Sequence, residues 1–421
     1  MTNELDWTGQ TNIYEVNLRQ YSTEGTIKAF MGHLPRLKDM GVHTLWFMPL
    51  TPVSQKEKKG SLGSYYACSD YVSVSSEFGT LEDFRELVRQ AHQLGMKVIL
   101  DWVANHTGWD HHWTVEHPDW YERDPATGNF KRASGMDDII ELDFTNRDMR
   151  RAMTDAMKFW VREAGIDGFR CDLAFWVELD YWQEAIPEVN AVKPLFWLAE
   201  SDPLENTAYM EVFNAAYTWT WMHQSEKFYK NQVSFRDLTV VLDRYQSAPG
   251  MKAWFTSNHD ENSWNGTEYE KYGDAAPLLA VHSCTWPGLP LIYSGQELPN
   301  LKRLKFFDKD PIEWTGKYEC HGFYKTLLGL QRSHPALHAK AEIYRLYTSS
   351  DEQMLAYLRK SKEHEVIVLL NFSAYAVRFD IRSTWISGNF IEVFTGQHND
   401  FAQHREFKME AWSYRVFVKE L

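Results

Sequence analysis

Eight short runs of apolar and β-branched residues recur through the first 335 residues, each separated from the next by a longer stretch, several with clear helical periodicity. The runs are Ile13–Asn17, Val42–Met48, Lys97–Asp101, Ile166–Cys171, Leu195–Ala199, Phe213–Tyr217, Lys252–Ser257 and Leu289–Tyr293, the sixth being the least regular. Parallel strands must be joined by long crossovers, usually helices, so the alternation predicts βα units around a parallel sheet. Eight units predict a closed (β/α)8 barrel, in which reacting groups gather at the carboxyl ends of the strands. An open doubly wound sheet is the rival. It would carry a Gly-rich phosphate loop after the first strand, and none is present.

Two of the intervening helices are well marked. Leu81, Phe84, Leu87, Val88, Ala91 and Leu94 share one face, with Thr80 as N-cap, Asp83 three residues on, and Gly95 beyond the last turn. Met149, Ala152, Met153, Ala156 and Phe159 follow Asn146 in the same way and stop at Gly165.

The rhythm breaks twice. Residues 107–144 form a loop-rich insertion after the third strand, rich in Trp, His and Asp, which is expected to cover the cleft. From 339 the pattern changes to short alternating strands, Met354–Leu358, Glu365–Phe372, Phe390–Phe394 and Trp412–Val418, which predict an antiparallel β-sandwich. The expected division is a barrel from 1–106 and 145–338, an insertion at 107–144, and a C-terminal β domain at 339–421.

The formal charge of −14 disfavours nucleic acid and anionic lipid as partners. No run approaches the roughly 18 apolar residues of a membrane helix, and the acidic start MTNELDWTGQ is unlike a signal peptide, so a cytoplasmic monomer is expected. Cys68, Cys171, Cys284 and Cys320 are scattered and read as reduced thiols, without a metal or disulfide framework. Aromatic residues make up 15% of the chain; those in WDHHW, HPDWY and TWTW sit among polar residues and are expected at a ligand.

Three carboxylates lie just past the ends of apolar runs: Asp172 in GIDGFRCD, Glu200 in PLFWLAES and Asp260 in WFTSNHD. Arg170 and Asp172, two apart on a strand, point the same way. They make either a structural ion pair or a nucleophile held ionised by its guanidinium. Glu200 follows PLFWLA, surroundings that should raise its pKa and suit it to general acid and base work, though a solvated loop glutamate is the alternative. Asn258, His259 and Asp260 suit a polyhydroxylated ligand, and the carboxylate would favour an oxocarbenium-like transition state. In DWVANH, His106 is a candidate for sugar hydroxyls and Asp101 reads as a buried scaffold carboxylate. Asn105 is either a calcium ligand or a tie for the long loop, the tie being favoured.

DWVANH, GFRCD, the Glu of FWLAES and the NHD of FTSNHD stand in the order and approximate spacing of the α-amylase family, glycoside hydrolase family 13, which this chain resembles. GVHTLWFMPL, YYACSDY followed by EFGT, and GLPLIYSGQE add to the resemblance, which runs from about Tyr14 to Gln331. It implies a retaining double displacement on an α-linked glucan, with endo-acting α-amylase activity expected. Exo-acting α-glucosidases (α-1,4 or α-1,6), cyclomaltodextrinases and 4-α-glucanotransferases share the same acids; a non-catalytic relative is the remote alternative. The resemblance makes Asp172 the nucleophile, Glu200 the acid/base and Asp260 the transition-state stabiliser. It makes Arg170, His106 and His259 holders of the glucosyl ring, and Tyr66 its stacking partner.

The chain departs from the family after the nucleophile. Phe175 and Trp176 stand where many calcium-dependent members carry Lys and His. No cofactor is therefore required, calcium near Asn105 and Glu141 is not favoured, and Trp176 is expected to stack on the leaving-group sugar.

Overall fold

The computed structural model describes residues 5–420. Eight parallel strands close a barrel: β1 (Ile13–Val16), β2 (Thr44–Phe47), β3 (Lys97–Trp102), β4 (Gly168–Cys171), β5 (Phe196–Ala199), β6 (Ala215–Tyr217), β7 (Met251–Trp254) and β8 (Leu289–Tyr293). Each pairs with its sequence neighbours, and β1 closes the ring on β8 with Ile13 opposite Leu291. Every expected barrel strand is present: four are shorter by one or two residues at one end, β2 is shorter at both, β3 is longer by one, β7 starts one residue earlier and ends three earlier, and β8 is as expected.

Side chains two apart on a strand share a face, and here that rule grades the barrel interior. Ile13, Trp46, Ile99, Phe196, Leu198, Ala215, Ala253, Leu289 and Leu291 fill its lower layers as one buried cluster. One step further along the same inward faces come Glu15, Asp101, Arg170 and, just past the strand, Glu200. Apolar packing below and ionisable groups above thus follow from one register. Gly168 opens β4 where the strands approach closely, since a Cβ there would lie 2.1 Å from the carbonyl oxygen of Phe196.

The helices wrap this ring. Leu81–Gln93 begins with a reciprocal capping box between Thr80 and Asp83. Arg147–Ala164 begins at Asn146, whose side chain accepts from the Asp148 and Met149 amides, and ends at Gly165 with φ 67°. Each returns the chain to a strand at the amino end of the barrel. Within the insertion, His106–Gly108 pairs antiparallel with Ile139–Glu141, His106 opposite Glu141, which brings its return leg back beside β3.

The C-terminal part has two antiparallel sheets: six strands (β9 Glu342–Arg345, β10 Met354–Ser361, β11 His364–Asn371, β13 Asn389–Glu392, β14 His398–Asp400, β16 Tyr414–Lys419) and a pair (β12 Val377–Asp380, β15 Glu406–Met409). Leu346, Ile367, Phe379, Phe390, Phe401 and Phe417 are buried in a core of their own. Arg359 Nη1 donates to the Thr285 carbonyl at 2.6 Å, and Tyr357 packs on Trp286, which fixes this part to the barrel. Among the described residues no helix is long and apolar enough to cross a membrane.

Candidate active site

Arg170 is the hub from which the site is built. Its guanidinium is fully buried at the carboxyl end of β4 and every nitrogen is engaged. Nη1 donates to Asp101 Oδ1 at 2.9 Å and to Asp172 Oδ1 at 3.0 Å. Nη2 donates to Glu200 Oε2 at 2.6 Å, and Nε to the Tyr217 hydroxyl at 3.2 Å. Glu200 takes a second bond at 2.9 Å from the Leu173 amide. Leu173 has φ 38° and ψ 50°, a left-handed conformation that is costly for a side chain of this size. That sharp turn directly after Asp172 is what brings the amide to Glu200.

The opposite carboxylate has its own support. His259 Nδ1 meets Glu15 Oε1 at 2.5 Å, and its Nε2 lies 3.1 Å from Asp260 Oδ2 and 2.7 Å from the Tyr66 hydroxyl. The Tyr66 hydroxyl also reaches Asp101 Oδ2 at 3.1 Å, which Trp46 Nε1 holds at the same distance. A continuous hydrogen-bonded floor therefore runs from Glu200 through Arg170, Asp101 and Tyr66 to His259 and Asp260.

Over this floor opens a cavity of about 470 Å³, lined by Tyr66, His106, Asp172, Glu200 and Asp260 together with Leu173, Trp264, Phe306 and Phe307, and by Lys59 and Asp138 at its rim. That size falls in the about 300–1,000 Å³ range of small-molecule sites. His106 Nε2 is buried with no protein partner among the described residues. Burial pushes the His106 imidazole down to about 4, so it faces the cavity neutral.

Burial also raises the acids. It takes Glu200 up to about 7 against the pull of Arg170, with the neighbouring Asp172 and Asp260 adding to the rise. Asp172 rises to about 6 for the same first reason, so Arg170 restrains its pKa without holding it below the ordinary range. Burial would raise Asp260 too, but the charge of His259 overrides it and holds that carboxyl low. His259 in turn is driven well above the ordinary imidazole value: burial opposes its charge, and Asp260 and Glu15 outweigh burial. The arrangement keeps one carboxylate ionised beside an imidazolium, and another that changes protonation near neutral pH.

Asp172, Glu200, Asp260, Tyr66 and His106 come together on the cavity wall. Arg170 and His259, expected against a sugar ring, are buried members of that floor and bond to its carboxylates and tyrosine hydroxyls. Trp176 sits in the 3-10 turn Ala174–Trp176, packed edge-on to Phe175 and outside the cavity lining. The aromatic clusters mostly turn inward: in the insertion Trp113 packs edge-on to Trp120, both nearly buried, and in TWTW, after β6, Trp221 stacks on His282. Sequence reasoning passed over Glu15, the Leu173 amide, Trp264 and the Phe306–Phe307 pair. The inward register of β1 could have found the first; the aromatics come from a single helical turn, Glu261–Asn265, and a loop, neither long enough to show periodicity.

The Glu141 carboxylate lies 2.5 Å from Lys131 Nζ, and Asn105 Nδ2 lies 3.4 Å from His106 Nδ1. Among the described residues no three His, Cys, Asp or Glu side chains gather to hold a metal.

The model of the α-amylase catalytic domain matches residues 8–127 and 117–313, and that of the maltogenic amylase C-terminal domain matches 344–416. Alpha-amylase 2 of Dictyoglomus thermophilum is 23% identical over 413 residues, covering 89% of this chain and 69% of that protein. A cyclomaltodextrinase of Geobacillus thermopakistaniensis is 22% identical over 411 residues, covering 89% of this chain and 66% of its own. The crystal structure of a maltogenic α-amylase from Thermotoga neapolitana superposes with a TM-score of 0.89 at 25% identity, covering 98% of this chain and 99% of that one. With both parts of its length matched and its fold shared, this chain belongs to the α-amylase family of glycoside hydrolases, glycoside hydrolase family 13.

Proposed function

We propose that the protein hydrolyses α-1,4-glucosidic bonds in starch-type glucans and maltooligosaccharides with retention of anomeric configuration. The observation that carries this reading is the single guanidinium of Arg170 bonded to both Asp172 and Glu200 on the floor of a sugar-sized cavity. An inverting pair stands about 6.5–9.5 Å apart to admit a water, whereas a retaining pair stands about 5–5.5 Å apart. Two carboxylates sharing one guanidinium support the closer arrangement.

In this reading Asp172 attacks the anomeric carbon while Glu200, protonated, gives its proton to the departing glycosidic oxygen. Glu200, now a carboxylate, takes a proton from the water that displaces Asp172 and releases the sugar. Asp260, ionised beside His259, stabilises positive charge on the ring in both transition states. Tyr66 and the Nε2 of His106 bear on the bound glucosyl ring. Arg170 and His259 act as positioning residues: Arg170 fixes Asp172 and Glu200, and His259 fixes Asp260 and the Tyr66 hydroxyl.

A time course of products from starch, maltoheptaose and a small aryl glucoside tests the proposal. Shorter maltooligosaccharides released as α anomers support it. Products longer than the substrate would make the protein a glucanotransferase, and a β anomer at first release would exclude the retaining mechanism.

A further inference from the structure

Lys59 and Asp138 meet across the rim of the cavity, and neither takes part in the steps above. Lys59 belongs to the loop after β2 and Asp138 to the return of the insertion after β3; Nζ lies 2.8 Å from Oδ1. The Asp138 side chain is 6% exposed and that of Lys59 37%, so the pair roofs the cavity rather than standing free in solvent.

The loop carrying Lys59 is braced from behind. The Leu62 amide donates to the Phe307 carbonyl at 2.9 Å, and the Ser61 amide to Asp308 Oδ1 at 2.8 Å. Gly60, at φ 61°, comes so close that a Cβ there would lie 2.5 Å from that of Phe307. The loops after β2 and β8 therefore form one wall. Phe306 extends it inward, stacking on Tyr66 at 6.2 Å and meeting Trp264 at 5.3 Å.

The barrel order says which end of a substrate this wall faces. In a closed ring of eight strands β5, which carries Glu200, is diametrically opposite β1. The loops after β2 and β8 flank β1 and so look at Glu200 across the mouth. Glu200 must stand beside the leaving-group oxygen, so the leaving sugars depart on its side. The part of the chain that stays attached to Asp172 runs toward the opposite wall.

We infer that the Lys59–Asp138 ion pair, backed by Phe306 and Phe307, ends the cleft on the non-reducing side and makes the enzyme select chain ends and short substrates. The inference rests on the proposed roles of Asp172 and Glu200. An internal segment of a long glucan would have to pass beneath the pair, whereas a chain end needs only to enter. A partly exposed ion pair contributes little energy, so it acts as a gate that disfavours longer occupants without forbidding them.

The test compares kcat/KM on two p-nitrophenyl maltoheptaosides, one with a free and one with an ethylidene-blocked non-reducing end. The wild type should favour the free end by about tenfold, and Lys59→Gln should shrink that ratio about fivefold by speeding the blocked substrate. Asp138→Asn, which keeps the side-chain shape, should do the same and serves if Lys59→Gln fails to fold. Equal wild-type rates on the two substrates would overturn the gate while leaving the hydrolase reading intact. A ratio unchanged in either folded variant would also overturn it, and cleavage of neither substrate would overturn both.

Discussion

Arg170 donates to Glu200 at 2.6 Å through one terminal nitrogen while the other holds Asp172 at 3.0 Å and Asp101 at 2.9 Å. A planar fork can hold three carboxylates at fixed separations; an ammonium is a single point of charge. Arg170→Lys should therefore lower kcat by about a hundredfold with little change in KM. A purely structural role would instead lower the melting temperature and leave the kcat of the folded fraction intact, so unfolding and kinetics should be measured together.

The two raised carboxyls fix the pH dependence. The nucleophile must be ionised, so activity falls as pH drops through about 6, where Asp172 takes up a proton. The acid must be protonated, so activity falls as pH rises through about 7, where Glu200 loses it. The kcat/KM profile should be a narrow bell between those limbs. Glu200→Gln on an α-glucosyl fluoride, which needs no protonated leaving group, should keep the acid limb and lose the alkaline one. An alkaline limb that persists would mean another group is the acid.

Trp176 follows Asp172 by four residues but lies outside the cavity, in the turn beside Leu173, Leu173 itself bonding Glu200. That location is the leaving-group side. Trp176→Ala should slow cleavage of maltooligosaccharides about tenfold and leave a small aryl glucoside unaffected, because only the former offers a distant sugar to stack on. Unchanged rates on maltooligosaccharides would remove Trp176 from the substrate path.

At the amino end of β4, Asp167 is buried and holds His92 Nε2 at 2.6 Å, Lys193 Nζ at 3.0 Å and the Val98 amide at 3.0 Å. Burial would raise this carboxyl, yet the bond to His92 and the charge of Lys193 hold it far below the usual range. Its folded pKa is depressed, so its stabilisation is present above the unfolded value of about 3.9 and is lost as pH falls. Asp167→Asn should cost about 2 kcal/mol at pH 7, read from urea unfolding, and the gap from wild type should close below about pH 4. A gap that does not change with pH would point to packing rather than charge.

Much of this was readable from the chain. The barrel strands were legible because burial on both faces writes near-continuous apolar runs, and the acids because they terminate those runs at Asp172, Glu200 and Asp260. Asn146, Thr80 and Gly165 marked helix ends by local chemistry. The strands Val377–Asp380 and Glu406–Met409 were not legible, since an edge pair of four residues each carries too few alternations. Lys59, Asp138, Trp264 and Phe306 were beyond reach for a different reason: they meet in space from four separate segments. The network that engages Arg170 and His259 was not legible either, since their partners Tyr217, Asp101 and Glu15 come from other strands.

Trapping the covalent intermediate tests the central claim most directly. Glu200→Gln treated with a 5-fluoro-α-glucosyl fluoride should gain one fluoroglucosyl mass, and peptide mapping should locate it on the fragment containing Asp172. A label on any other residue, or turnover by Asp172→Asn at a rate near wild type, would contradict the account.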